Sequence, residues 1–321
     1  MGRYIVRRLL YVFLVVLVIT LATFLIFFVM PPGDPVTAFS GRTPTPQILH
    51  AVEKQFGFDK PLYVQYGKFV KNIFFGDEFG WPGFGYSYVT RSPVREEIFG
   101  RIGVTLQLAV GAAIMWVIVG VSIGIVSALN RRKLVDRAAM GFALFGVSAP
   151  TFAVGLAALY IFWQQFHLLP GTGYIPLSEN AGEFFSHMIL PWSVLALSFA
   201  AFYARMVRGN LLEALGEDYI RTARAKGLSE KKVIGKHGLR ASLTPIVTIF
   251  GLDFSLLLGG AVLTERVFNL PGLGALVVQS VARSDLPVIL ATTVIASLFV
   301  TVMTLVVDII YGFLDPRVRY T

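Results

Sequence analysis

Apolar residues in this chain come in long unbroken runs, and the polar positions gather between them. That is neither the alternation of a half-buried strand nor the one-sided stripe of a soluble helix. As a helix, about 20 apolar residues cross the roughly 30 Å hydrocarbon core of a bilayer. Six runs come close to that length: Leu9 to Met30, Gly103 to Leu129, Ala138 to Gln164, His187 to Met206, Pro245 to Leu263 and Pro287 to Leu314. The pattern predicts an all-α integral membrane protein with six transmembrane helices. Thr244 before Pro245 reads as an N-cap followed by proline in the first turn, a start for the fifth helix. Pro150 and Pro191 each remove a backbone donor inside a span and predict kinks, either hinges or static bends. Gly120 and Gly124 in "GVSIG" have the small-xxx-small spacing that lets helix backbones approach, which reads as packing.

Composition supports the same solvent. Of 321 residues 55% are hydrophobic and 15% charged, with a mean hydropathy of +0.69, too apolar for a soluble chain of this size. A net charge of +9 would suit nucleic acid only on the basic face of a soluble domain. Here most Lys and Arg flank apolar runs, so no nucleic-acid partner is expected and the charge reports orientation. Arg3, Arg7 and Arg8, then Arg131, Arg132, Lys133 and Arg137, then the cluster from Arg205 to Arg240, then Arg317 and Arg319 mark cytoplasmic segments. Both termini are therefore expected in the cytoplasm. The opposite short loops are nearly free of cations, with Arg266 and Arg283 alone between Thr264 and Leu286. The first run has the basic flank of a signal peptide but is too long and lacks a small-x-small cleavage site, so it reads as a retained anchor.

Three regions follow: an N-terminal transmembrane helix at 1–30, an extracytoplasmic segment at 31–101, and a core at 102–321 that carries a basic loop at about 211–240. In the second region "TPTPQILHAVEKQFG" predicts a short helix capped by Thr45 with Pro46 in its first turn, and "LYVQYGKFVKNIFF" predicts an amphipathic one. Both are too short for a core of their own and are expected to cover the outer mouth of the bundle. The aromatic, Gly-rich "DEFGWPGFGYSY" lies between them and the second span, its rings expected at bilayer level.

Catalytic signatures are missing. The chain has no HExxH, no GxSxG and no Walker A, since "VIGKHG" has Gly235 and Lys236 without the upstream glycine or the following Ser or Thr. The absence of cysteine removes disulfides, thiol nucleophiles, zinc-thiolate sites and iron-sulfur clusters. Four scattered histidines, of which His167 and His187 share the outer side, do not compose a metal site. No metal, cofactor or enzyme activity is expected of this chain. Two carboxylates within apolar runs need a reason, because an Asp at mid-helix costs on the order of 2.5 to 3.5 kcal/mol on insertion scales. Asp308, near the end of the sixth run, reads as structural or interfacial. Asp253, deeper, reads either as a group on a solute path or as a helix-helix hydrogen-bonding partner.

The segment "EDYIRTARAKGLSEKKVIGKHGLRASLTP" from Glu217 to Pro245 stands apart as basic and Gly-interrupted. Leu211, Leu215, Tyr219 and Ala223 recur every four residues as an apolar stripe, with Glu217, Asp218, Arg221, Arg224 and Lys226 on the other faces. Gly227 stands where a helix would end, and Ser229 with Glu230 where another would begin. The expectation is two short helices with a tight corner. They serve either to rest on anionic lipid or to dock a partner.

"DYIRTARAKGLSEKKVI" resembles the EAA loop of bacterial ABC importer permeases, in the form found in the dipeptide and oligopeptide permease family. The similarity covers nearly the whole chain: "RYIVRRLL", "PPGDP", "GFDKPLYVQYGKF", "SPVREEI", "TLQLAV", "SAPTF", "LLPGTGY", "MILPW", "TERVFNLPGLG" and "IYGFLDPRVRY" follow that family in order and spacing. The resemblance implies a type I ABC importer permease fold (MetI-like), with a small extracytoplasmic helical cap between helices 1 and 2, in the bacterial cytoplasmic membrane. It implies a coupling helix formed by Asp218, Tyr219, Arg221, Thr222, Ala223, Arg224, Ala225, Lys226 and Gly227, seated on an ATPase subunit. It also implies partners: a second homologous permease, two ABC ATPase subunits that bind ATP and Mg, an extracytoplasmic solute-binding protein and the surrounding lipid. The implied cargo is a di- or oligopeptide, with nickel chelates, glutathione or oligosaccharides carried by relatives. The chain departs from the family at "HGLRASL", at the inserted "FGWPGF", and at Asp253, where an amide is more usual. The rival class is an ion-coupled secondary transporter using Asp253 as its proton site. A membrane enzyme has no constellation to point to.

Overall fold

The computed structural model describes residues 2–30, 33–41 and 44–314. The chain divides into two compact units, Met1–Thr105 with Pro271–Thr321, and Leu106–Leu270. Nearly every described residue that is not in a turn is helical, as a chain without water to satisfy its backbone requires.

The first unit contains α1 (Gly2–Phe24), which widens into a π-helical stretch at Leu25–Val29, then α2 (Pro35–Phe39), α3 (Pro46–Phe56) and α4 (Leu62–Phe75). A two-residue hairpin of β1 (Tyr86–Ser87) and β2 (Ser92–Pro93) leads to the first turns of α5 (Val94–Leu129), and α12 (Leu273–Arg283) and α13 (Leu286–Leu314) complete the unit. The short helices are set by their ends. Thr45 Oγ1 accepts from the Ile48 amide at 3.3 Å with Pro46 in the first turn, and Gly57 at φ +76° ends α3. Asp34 does the same for α2, accepting from Val36 N at 3.1 Å.

Too small to have a core alone, α2, α3 and α4 share one. Phe28, Phe39, Phe69 and Phe84 are buried together with Val94 and Ile98 of α5, Leu276 of α12 and Val288 and Leu290 near the start of α13. Ring centroids lie 4.7 Å apart for Phe24 with Phe28 and for Phe39 with Phe56, within the range in which aromatic pairs attract. Ser87 Oγ donates to Asp285 Oδ2 at 2.6 Å across 198 positions of sequence. Burial pushes the Asp285 carboxyl above the usual range, and the Ser87 hydrogen bond opposes that shift. The "FGWPGF" segment folds onto Asp77, whose two oxygens accept from Phe79 N at 2.8 Å and Gly85 N at 2.7 Å. A cavity of about 580 Å³ opens beside it, among Lys54, Lys68, Asn72, Glu78 and Tyr88.

The second unit holds the rest of α5, then α6 (Leu134–Ser148), α7 (Thr151–Ala158) with a π-helical continuation Leu159–Gln165, α8 (Ala181–Gly216), α9 (Asp218–Ala225), α10 (Glu230–Lys232), a π-helical stretch Val233–Gly238, and α11 (Leu239–Val267). Helix α8 is its axis. A Cβ on Gly120 would lie 2.8 Å from Ala200 O, one on Gly124 2.6 Å from Val207 Cβ, and one on Gly146 of α6 2.7 Å from Ala201 Cβ. The "GVSIG" spacing thus works as a packing seam.

Among the described residues four helices are long and apolar enough to span a bilayer: Val6–Val29, Val94–Leu129, Ala181–Gly216 and Leu286–Val306. A fifth span is formed if α6 and α7–Gln165 count as one. They meet at a 108° bend, and this pair is the third run of the sequence reading. Pro150 lies at the break and drives the residue before it, Ala149, out of helical conformation at ψ 128°. Pro191, by contrast, is absorbed within unbroken α8. The fifth run needs correction. Helix α11 starts at Leu239, and Pro245 lies inside it. Because the chain arrives already helical, there is no free N-terminus at Thr244 to cap. Several side chains of α11, that of Thr244 among them, lie outside the described residues, as do the Asp308 side chain and residues 315–321 with Arg317 and Arg319.

Candidate functional site

Helix α8 is 36 residues long, about 54 Å at 1.5 Å per residue, so its last turns extend well past the thickness of a hydrocarbon core. It stops at Gly216. Glu217 is extended (φ −71°, ψ 151°), and α9 starts afresh in a new direction. The break overturns the stripe read from sequence, because helical phase does not carry across an extended residue. Leu211 and Ala223 are buried, but Tyr219 is 44% exposed. The buried face of α9 is Ile220 and Ala223, packed on Val233 and the part-buried Leu215.

All the other predicted coupling residues face outward: Asp218, Tyr219, Arg221, Thr222, Arg224, Ala225, Lys226 and Gly227 are exposed. Burying an Ile side chain contributes about 1.5–3 kcal/mol, whereas the exposed pair of Arg221 and Asp218, at 3.2 Å, contributes at most about 1 kcal/mol. The apolar pair holds the helix, and the charges are left free to meet something else. Thr222 Oγ1 donates back to Asp218 O at 2.9 Å, a bond within the helix itself.

The corner after α9 is built by Gly227 at φ +75°, a conformation that costs a residue with a Cβ. Its amide donates to Arg224 O at 2.9 Å, and Leu228 N donates to Ala223 O at 3.3 Å. Arg224 spans the corner, its Nη2 and Nε donating to Glu230 Oε1 at 2.8 and 3.1 Å. The second short helix of the sequence reading is different in kind. The three residues of α10 run straight into the π-helical stretch and α11, so the corner joins one isolated helix to a long arm.

Asp253 lies on α11 facing α8. Tyr203 Oη donates to its Oδ2 at 2.9 Å, which realises the helix-helix partner reading, while the residue stays half-exposed. Tyr203 is fully buried against Trp116, which stacks on Phe199 with centroids 4.7 Å apart and meets Phe250 at 5.5 Å.

A cluster that sequence reading missed lies further up α8. Asp136, in the first turn of α6 and only 4% exposed, accepts from Arg208 Nε at 2.6 Å and Nη2 at 2.9 Å. It also accepts from Ser127 Oγ at 2.6 Å and from the Arg132 amide at 2.8 Å. Arg208 is 72 positions away, so no local signal pairs the two.

The chain matches the family described as "Binding-protein-dependent transport system inner membrane component" over residues 120–320, and the corresponding N-terminal family over residues 1–109. The chain belongs to this family. It is an ABC importer permease, a transmembrane component of the inner membrane. It is 39% identical over 320 residues, 100% of both chains, to the glutathione transport system permease protein GsiC of Escherichia coli (strain K12). Over the same length it is 40% identical to the protein of that name from Salmonella paratyphi A. Its fold is similar to that of the MetNI methionine ABC transporter solved in inward-facing conformations, with a TM-score of 0.54 and 17% identity over 70% of this permease and 98% of that chain.

Proposed function

We propose that this permease is one half of the translocation pathway of an ATP-driven importer of short peptides, and that α9 is the lever through which separate ATPase subunits drive it. The observation that carries the reading is the construction of α9: eight residues seated on Ile220 and Ala223 alone, every other side chain exposed, and both ends fixed by an extended residue and a left-handed glycine. A short rigid helix with a charged outer face moves as one body when a cleft closes around it. ATP and Mg belong to the partner subunits, and the second half of the pathway to a homologous permease. The basic flanks favour a cytoplasmic side for both termini and α9, and an outer side for the segment between α1 and α5, where a solute-binding protein would deliver cargo. Two related permeases are named for glutathione, itself a tripeptide, so the cargo class is a free peptide of a few residues, glutathione included.

The test is purification of the chain from its native membrane in mild detergent, identification of what remains bound, and reconstitution with a solute-binding protein. Recovery of a second permease and Walker-motif ATPases, with ATP-dependent uptake of labelled di- and tripeptides, is the expected result. A chain that purifies alone and transports without ATP refutes the reading; uptake of only non-peptide solutes refutes the cargo.

A further inference from the structure

Something must carry motion of α9 into the helices of the unit. Helix α9 hangs from the end of α8 and touches α8 and the π-helical stretch ahead of α11. The bent pair α6 and α7 has a built-in break, of 108°, and α9 reaches it through α8 as well as through the π-helical stretch and α11, which packs on α7. At Gly146 the α6–α8 contact is close apolar packing against Ala201 and Leu197, and a glycine has no side chain with which to make a directional bond. At the start of α6 the contact changes character, because the Arg208 guanidinium grips Asp136 through two bonds of 2.6 and 2.9 Å. A bidentate fork fixes direction as well as distance. Asp136 is itself held by the last turns of α5 through Ser127 and by the α5–α6 turn through the Arg132 amide, with Arg132 at φ +66°. One carboxylate thus ties three elements, and Arg208 stands on α8, ten residues ahead of the start of α9.

We propose that the Asp136–Arg208 pair is the positioning element of coupling: it locks α8 to the α5–α6 corner, so that displacement of α9 turns the bent pair instead of being lost as sliding of α8. This rests on the assignment of α9 as the lever.

The experiment uses the complete importer, with partner permease, ATPases and solute-binding protein, in proteoliposomes, reading peptide uptake and ATP hydrolysis together. Arg208→Gln is expected to assemble and hydrolyse ATP while uptake per ATP falls about tenfold or more, since the fork that sets register is gone. Arg208→Lys keeps the charge but not the fork and is expected to fall several-fold. The exchanged variant Asp136→Arg with Arg208→Asp restores a large part of the coupling ratio. Native uptake per ATP in Arg208→Gln overturns the proposal, as does failure of all three variants to assemble, which would make the pair a folding element only. A native complex that imports without ATP sinks the lever assignment instead, so the two failures are distinguishable.

Discussion

Two arginines, each bonded to a carboxylate through two nitrogens, do different work because of where they stand. Arg224 and Glu230 are 43% and 58% exposed, so water screens their attraction and the pair adds at most about 1 kcal/mol. The Arg208 side chain is only 26% exposed against an Asp136 side chain at 6%, so water screens this pair less and losing one partner strands the other charge. The corner at Gly227 depends on backbone freedom instead. Nothing lies within 4 Å of where its Cβ would be, so a substitution meets no neighbour and its whole penalty comes from φ +75°, about 1–2 kcal/mol. Gly227→Val is therefore expected to leave assembly intact while re-aiming α9, so that ATP hydrolysis continues and uptake per ATP drops severalfold. Parallel assays of hydrolysis and uptake in proteoliposomes check it, and coupling equal to the native value counts against α9 as lever.

Among elements, the seam between α5 and α8 sets the tightest limits. A Cβ on Gly124 would meet Val207 Cβ at 2.6 Å and Ala204 O at 2.7 Å, atoms that cannot rotate away. Gly124→Leu should destabilise the permease by about 1–3 kcal/mol or more through overpacking, seen as a lower melting temperature in detergent. Gly141→Ala on α6, with nothing within 4 Å of its Cβ, should be neutral or slightly stabilising. The seam was legible in advance because small residues at four-residue spacing have one common use in a membrane helix. So was the start of α3, where Thr45 and Pro46 each fit a single position by backbone chemistry. Helix ends were harder. Val94 and Gly216 bound α5 and α8 outside the apolar runs, where hydropathy has no signal, and Thr244 before Pro245 imitated a start within a helix already under way. Register across Glu217 was hidden too, because a four-residue spacing cannot reveal that an extended residue interrupts it. The Asp136–Arg208 pair was invisible for another reason: partners 72 residues apart leave no trace in a local window.

For the molecule as a whole, the deciding question is what drives transport. An ion-coupled carrier would make the Asp253 carboxylate its proton site. The side chain is instead engaged by Tyr203 at 2.9 Å, and an amide oxygen accepts the same bond. Asp253→Asn is accordingly expected to keep at least about half of native uptake and to keep its dependence on ATP, since one neutral hydrogen bond replaces one charge-assisted bond. Uptake that follows an imposed pH gradient and vanishes in Asp253→Asn would establish the carrier instead. The family was legible from sequence because its motifs run the length of the chain, whereas cargo choice was not, since no constellation of side chains in the apolar runs reads as a peptide site.

The aromatic core of the first unit has a consequence for how the protein is made. Phe28, Phe39, Phe69 and Phe84 close against Leu276, Val288 and Leu290, and Ser87 finds Asp285, so the earliest part of the chain to leave the ribosome waits for nearly the last. Until the final span is inserted, a nascent permease carries an open face of phenylalanines. A chain cut short before that span would therefore leave these rings without the surfaces they close against.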